Sequence, residues 1–108
     1  MASKPELQGA LDLLILKTLA REPNHGFGIT LHVQTASEGL LRVEEGSLYP
    51  ALHRLERDKL IQGEWKVTPN ARRARFYRLT AAGRKRLADA EQNWSTLAAG
   101  VAKVLRFA

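Results

Sequence analysis

Between Glu45 and Leu60 the apolar residues recur with the period of a helix, and from Ile61 onward they alternate like those of a strand. That change of period restricts the chain to folds in which a helix feeds directly into a sheet. At about 100° per residue, Leu48, Leu52 and Leu55 share one side of the helix. Pro50, His53 and Arg57 share the other, with Ser47 and Arg54 at its edge. Pro50 is expected in the first turn, where a missing N–H costs little. The leucine side must be buried. The opposite side carries cations and short polar groups and no carboxylate, since Glu56 and Asp58 fall off it. A helix of about three turns with such a face fits the major groove of DNA, as the second helix of a helix-turn-helix does. Taken alone, the segment reads equally well as an ordinary amphipathic surface helix.

The flanking sequence extends the pattern on both sides. Upstream, Ser3-Lys4-Pro5-Glu6 has the form of a capping box with proline in the first turn. Leu7, Leu11, Leu14 and Leu19, with Ala10 and Ile15 beside them, then form a stripe broad enough for burial on more than one side. Glu22-Pro23-Asn24 ends that helix, because a residue before proline disfavours the α region. A second helix is expected from about Gly26 to Ala36, with Ile29, Val33 and Ala36 inward and Gly39 as terminator. Leu40 to Glu44 is a connector, with Val43 a candidate short strand. Downstream, Ile61, Trp65 and Val67 alternate with Gln62, Glu64 and Lys66, the pattern of a half-buried strand. Thr68 to Ala71 is turn material. A second strand covers Ala74 to Leu79 with Tyr77 and Leu79 inward, and Thr80 caps a last helix. The expected fold is α+β, mainly α: a winged helix-turn-helix over residues 1–79 and a long C-terminal dimerisation helix over 80–108.

Charge adds a partner class. The net charge of +6 is unevenly placed: residues 1–54 hold five Lys/Arg and six Asp/Glu, and residues 55–108 hold twelve and five. From Lys66 to Ala88 there are eight basic residues and no acidic one. Such one-sided charge suggests an anionic partner, nucleic acid or an anionic membrane surface. Arg72, Arg73 and Arg75 crowd the expected wing tip. They would suit phosphate or minor-groove contact, against the plainer role of keeping a hairpin edge soluble.

In the last helix, Leu87, Ala90, Trp94, Leu97, Val101 and Val104 form two interleaved series at seven-residue intervals, an a/d seam. A helix of about 25 residues runs near 40 Å, longer than a winged-helix core can cover. Part of the seam is expected to pack on helix 1, and the remainder on the same helix of a second subunit.

Several motifs together resemble the PadR family of bacterial transcriptional regulators. Gly46-Ser47-Leu48-Tyr49-Pro50-Ala51-Leu52, followed by Arg54-Leu55-Glu56 and Leu60-Ile61, is similar to that family's signature. His25-Gly26-Phe27-Gly28-Ile29 resembles its His-Gly-Tyr entry to the second helix, and Tyr77-Arg78-Leu79-Thr80-Ala81-Ala82-Gly83 its Tyr-x-Leu-Thr-x-x-Gly exit from the wing. The match runs from about Leu7 to Trp94. Two positions depart from the pattern: Phe27 where tyrosine is usual, and Lys59 where glycine often precedes the Leu-Ile pair. The resemblance implies transcriptional regulation, mostly repression, at two-fold related sites. Short members with a single C-terminal helix include proteins that bind planar aromatic drugs at the dimer interface. By resemblance, Trp94 is therefore a possible site for a planar aromatic small-molecule effector, although packing against helix 1 of the partner is the preferred reading of a large aromatic there.

Catalytic chemistry is not indicated. The chain has no cysteine and three histidines, His25, His32 and His53, with no pair on one helix turn to hold a metal. His32 is expected to be solvated and His25 to hold the turn into the second helix. No carboxylate pair, glycine-rich phosphate loop or cofactor motif occurs. No apolar run reaches the roughly 20 residues that span a bilayer, and the expected location is the cytoplasm. The expectation is a homodimer on double-stranded DNA. Tyr49, Arg54 and Arg57 would contact phosphates and base edges, and Ser47, Pro50 and His53 would set the fit in the groove. Arg72, Arg73 and Arg75 would meet the backbone, and Lys4 would add a phosphate contact. The alternative is a winged-helix protein-interaction module whose basic wing meets an acidic partner; salt-dependent DNA affinity separates the two.

Overall fold

The leucine stripe of the central helix organises the interior. In the computed structural model, which describes residues 4–107 and side chains from Ala10 onward, the order is α1 (Lys4–Arg21), β1 (Asn24–His25), α2 (Gly26–Ala36), α3 (Glu45–Arg57), β2 (Ile61–Val67), β3 (Arg73–Leu79) and α4 (Ala81–Arg106). Leu48, Ala51, Leu52 and Leu55 of α3 are buried against Leu11, Ile15, Leu16 and Leu19 of α1, Ile29 and Val33 of α2, and Ile61, Tyr77 and Leu79 of the sheet. Four helices, the last through Leu87, and a small antiparallel sheet thus close one core, mainly helical, in the winged-helix arrangement. The proposed capping box at Ser3 and the side chain of Lys4 lie outside the described residues.

Several local expectations are corrected. The sheet has three strands in the order β1-β3-β2, not two: Asn24 pairs with Tyr77 and His25 with Phe76. Val43 is buried but forms no strand. Ala36 is exposed, and Gly26, one turn before Ile29, takes the inward place instead. Pro50 is the sixth residue of α3, not in its first turn. The N–H it lacks would have met the carbonyl of Gly46.

The largest correction concerns β2. Ile61 is buried, but Trp65 is 55% exposed and Val67 69%. Ile61 pairs with Leu79 and Gly63 with Tyr77, over the core; Trp65 and Val67 pair with Arg75 and Arg73, farther out. The alternation is that of a strand that outruns the core.

The end of α3 explains the departure at Lys59. The Leu60 N–H donates to the Leu55 carbonyl at 3.0 Å and the Lys59 N–H to the Glu56 carbonyl at 2.9 Å. This is a Schellman cap, and it places Lys59 in the left-handed region at φ 63°. A side chain is strained there and glycine is not. Lys59→Gly is expected to stabilise the fold by about 0.5–1 kcal/mol, read as a higher urea midpoint at unchanged slope.

At the other end of the sheet, Thr80 caps α4, its Oγ1 accepting from Gly83 N–H at 3.0 Å while its one hydroxyl hydrogen lies between the Lys59 carbonyl at 2.8 Å and the Leu60 carbonyl at 2.9 Å. Leu87 reaches the core, and Lys17 of α1 meets Glu91 at 2.9 Å. Trp94, Leu97, Val101 and Val104 are exposed, and the molecule measures 57 × 28 × 22 Å.

Candidate nucleic-acid interface

The outward side of α3 carries Tyr49, Pro50, His53 and Arg57, all exposed, with Ser47 and Arg54 half-buried at its margin. Close packing against the start of α2 helps set its position. A Cβ on Gly26 would fall 2.8 Å from the Tyr49 hydroxyl oxygen and 3.0 Å from its Cε1. The first residue of α2 must therefore be small for the Tyr49 ring to rest on it. Just before it, His25 caps α2 by accepting the Gly28 N–H on Nδ1 at 3.1 Å, the local role expected of it. The ring of His25 also stands edge-on to Phe76, at 5.0 Å between centroids. His32 is not merely solvated, because its Nδ1 lies 3.1 Å from an Arg21 guanidinium nitrogen.

The arginines expected to face a polyanion are not equivalent. Arg54 reaches back to α1 and pairs with Asp12. Arg75 donates to Glu56 Oε2 at 2.5 Å, and that bond raises its pKa above the ordinary arginine value. Arg57 has a long, exposed contact of 3.4 Å to Asp58, of the kind that water and salt loosen. Arg72 and Arg73 meet no carboxylate among the described residues. Arg73 instead lies over the Trp65 ring, 4.8 Å from its centroid. Burial pushes the phenol of Tyr77 up, between the sheet and α3. Of these five arginines, the two that meet no carboxylate among the described residues, Arg72 and Arg73, are thus on the wing, with Arg57 exposed on the helix beside it.

Sequence reading missed the partners of Arg54 and Arg75. Asp12 and Arg54 are 42 positions apart and Glu56 and Arg75 are 19 apart, so no local spacing announces either pair. Ala90 is half-buried on α4, and Trp94, Leu97, Val101 and Val104 continue outward along the exposed row. Among the described residues no group of three or more His, Asp or Glu gathers to hold a metal, and no helix is long and apolar enough to cross a membrane.

Comparison with known proteins decides the family. Residues 15–89 match the Transcriptional regulator PadR-like family. The chain belongs to the PadR-like family. It is 42% identical over 82 residues to transcriptional regulator Rv3488 of Mycobacterium tuberculosis, covering 76% of this chain and 73% of that one. A PadR family transcriptional regulator from Eggerthella lenta superposes with a TM-score of 0.78 at 34% identity, covering 95% of this chain and 88% of that one. A transcriptional regulator from Clostridium thermocellum gives 0.83 at 24% identity, over 92% and 96%, a likeness of fold. The family is one of transcriptional regulators, not of enzymes. Within it, the PadR-like motifs acquire physical reasons: Gly26 admits Tyr49, and Gly83 admits the Leu60 carbonyl.

Proposed function

We propose that the chain is a DNA-binding repressor that works as a homodimer on a two-fold related operator in the cytoplasm. The observation that carries this reading is the carboxylate-free outward face of α3 beside a hairpin whose Arg72 and Arg73 have no acidic partner among the described residues. In this reading α3 enters the major groove, with Arg57 at base edges and Tyr49, Ser47, Pro50 and His53 fitting its walls. Arg72 and Arg73 lie on the backbone. Arg54 and Arg75, engaged by Asp12 and Glu56, hold the geometry and contribute less free charge. Lys4 remains a candidate phosphate contact at the start of α1.

The second subunit is proposed because α4 leaves an apolar row exposed: Trp94, Leu97, Val101 and Val104. Single exposed apolar residues are ordinary, but a row at heptad spacing marks an interface. Two copies joined there would present two α3 helices to half-sites about one turn of DNA apart. Trp94 lies on that row, and a planar aromatic effector would enter there. Repression rather than activation follows from the family resemblance.

Arg57→Ala is expected to weaken specific binding by more than tenfold, about 1–3 kcal/mol. Relaxed preference at one base pair would identify a base contact, and uniform weakening a phosphate contact. Binding like the wild type would mean that α3 does not face the groove with this side. A wild-type protein that bound no duplex even at low salt would favour the other reading, a basic wing that meets an acidic protein.

A further inference from the structure

We propose that Glu56 and Trp65 are positioning residues that hold the wing's arginines at a fixed place relative to α3. The inference rests on the DNA-binding reading above. It starts from the anomaly of Trp65, a large ring left 55% exposed on a hairpin that has outrun its core.

Trp65, Arg73 and Arg75 occupy one face of the hairpin. Trp65 is the register partner of Arg75, and Val67 of Arg73, so all these side chains project to the same side as Ile61 and Leu79. The Arg73 guanidinium lies 4.8 Å from the ring centroid and that of Arg75 5.8 Å. Both distances are within the range of cation–π attraction. The ring therefore serves as a seat for two cations.

Glu56 ties this seat to the recognition helix. Its Oε2 accepts from Arg75 Nη2 at 2.5 Å and from the Gly63 N–H at 3.3 Å, so one carboxylate on α3 holds both strands of the hairpin. Arg75 reaches it by crossing Gly63, where a Cβ would stand 2.6 Å from Arg75 Nε. The contacts run from Glu56 to Arg75, to Trp65, to Arg73. A two-stranded ribbon beyond the core would otherwise swing about its base. An unstacked arginine would also have to give up its rotamer freedom on meeting a phosphate.

Charge separates positioning from contact. Trp65 is neutral, so its loss removes no counterion release, whereas loss of Arg73 makes the log–log salt slope shallower by about 0.9 for each phosphate it neutralises. The full-length protein is titrated against its selected operator duplex and a random duplex across a salt series. Trp65→Leu is expected to weaken both by about three- to tenfold at an unchanged slope, and Trp65→Phe, which keeps a ring, to recover most of the loss. In an Arg73→Ala background Trp65→Leu should add little, because Arg75, the other cation on the ring, is held by Glu56 and the ring reaches the backbone through Arg73. Glu56→Gln is expected to lower the ratio of specific to random affinity without making the slope shallower.

Trp65→Leu binding like the wild type overturns the proposal. So does a Trp65→Leu loss that persists in full in the Arg73→Ala background, which would mean that the ring touches DNA itself. The stack is also tested without DNA, through the ring-current shift of the Arg73 and Arg75 side-chain protons by NMR. Loss of that shift in Trp65→Leu is expected, and absence of any shift in the wild type overturns the stack. If the wild type binds no duplex at low salt but the shift is present, the DNA-binding reading fails and the seat stands.

Discussion

Gly83→Ala is expected to destabilise the protein by about 3 kcal/mol, one of the largest effects of any single methyl group in the chain. The added Cβ would lie 2.1 Å from the Leu60 carbonyl oxygen and 2.7 Å from Leu79 Cδ1. The first obstacle is backbone and cannot rotate away. To clear it α4 must retreat by more than an ångström. That breaks the bonds to the same carbonyl from Thr80 N–H at 3.1 Å and Thr80 Oγ1 at 2.9 Å. The better helix propensity of alanine offsets about 1 kcal/mol of the loss. Gly100, in the same helix, is the contrast: within one chain a Cβ there meets nothing within 4 Å among the described residues. For a domain of this size the expected drop in melting temperature is about 10–20 °C, measured at matched concentration because assembly contributes to stability. A midpoint within a few degrees of the wild type would mean that the α3–α4 junction is not built around this carbonyl.

Leu97→Asp is expected to abolish the proposed dimer while leaving each subunit folded. Leu97 is 57% exposed in the single chain, so the carboxylate stays in water there and costs the fold little. In the joined state the same group would be desolvated twice, once from each copy, with its like-charged twin opposite. Sedimentation equilibrium should give the mass of one chain, about 12 kDa, against twice that expected of the wild type, and circular dichroism should be unchanged. Operator affinity should fall by orders of magnitude, since each half-site is then bound alone. A folded mutant that still sediments as a dimer would move the joint away from this row.

The parts of the fold that could be read from the sequence are those carried by local periodicity. The Leu48, Leu52 and Leu55 stripe, the cap at Thr80 and the inward Tyr77 and Leu79 all express a rule that acts within one or two turns, and all hold in three dimensions. Trp65 was misjudged because alternation reports a strand's two faces and not what stands opposite them. The strand β1 has two residues, too few to show a period. The pairs Asp12–Arg54 and Glu56–Arg75 join distant segments and change what the arginines can do, and only the folded chain brings them together. Lys59 is the reverse case: its departure from the family's glycine was visible, and the reason became clear only with its positive φ.

The Leu60 carbonyl has a mechanical consequence. It is the backbone atom at which the exit of α3 and the entrance of α4 are fastened, through Thr80. A junction fastened at one backbone atom couples a turn of α4 to a turn of α3. In the proposed dimer, the angle at which the two long helices cross therefore dictates the span between the two reading heads. A tilt of about 5° along a helix of about 39 Å carries its far end some 3 Å. That is as long as a hydrogen bond, and enough to take an arginine from a base edge to bulk water. In the proposed dimer, an effector wedged between the two long helices at Trp94 would not need to touch α3 to lift it from the groove; leverage would do so.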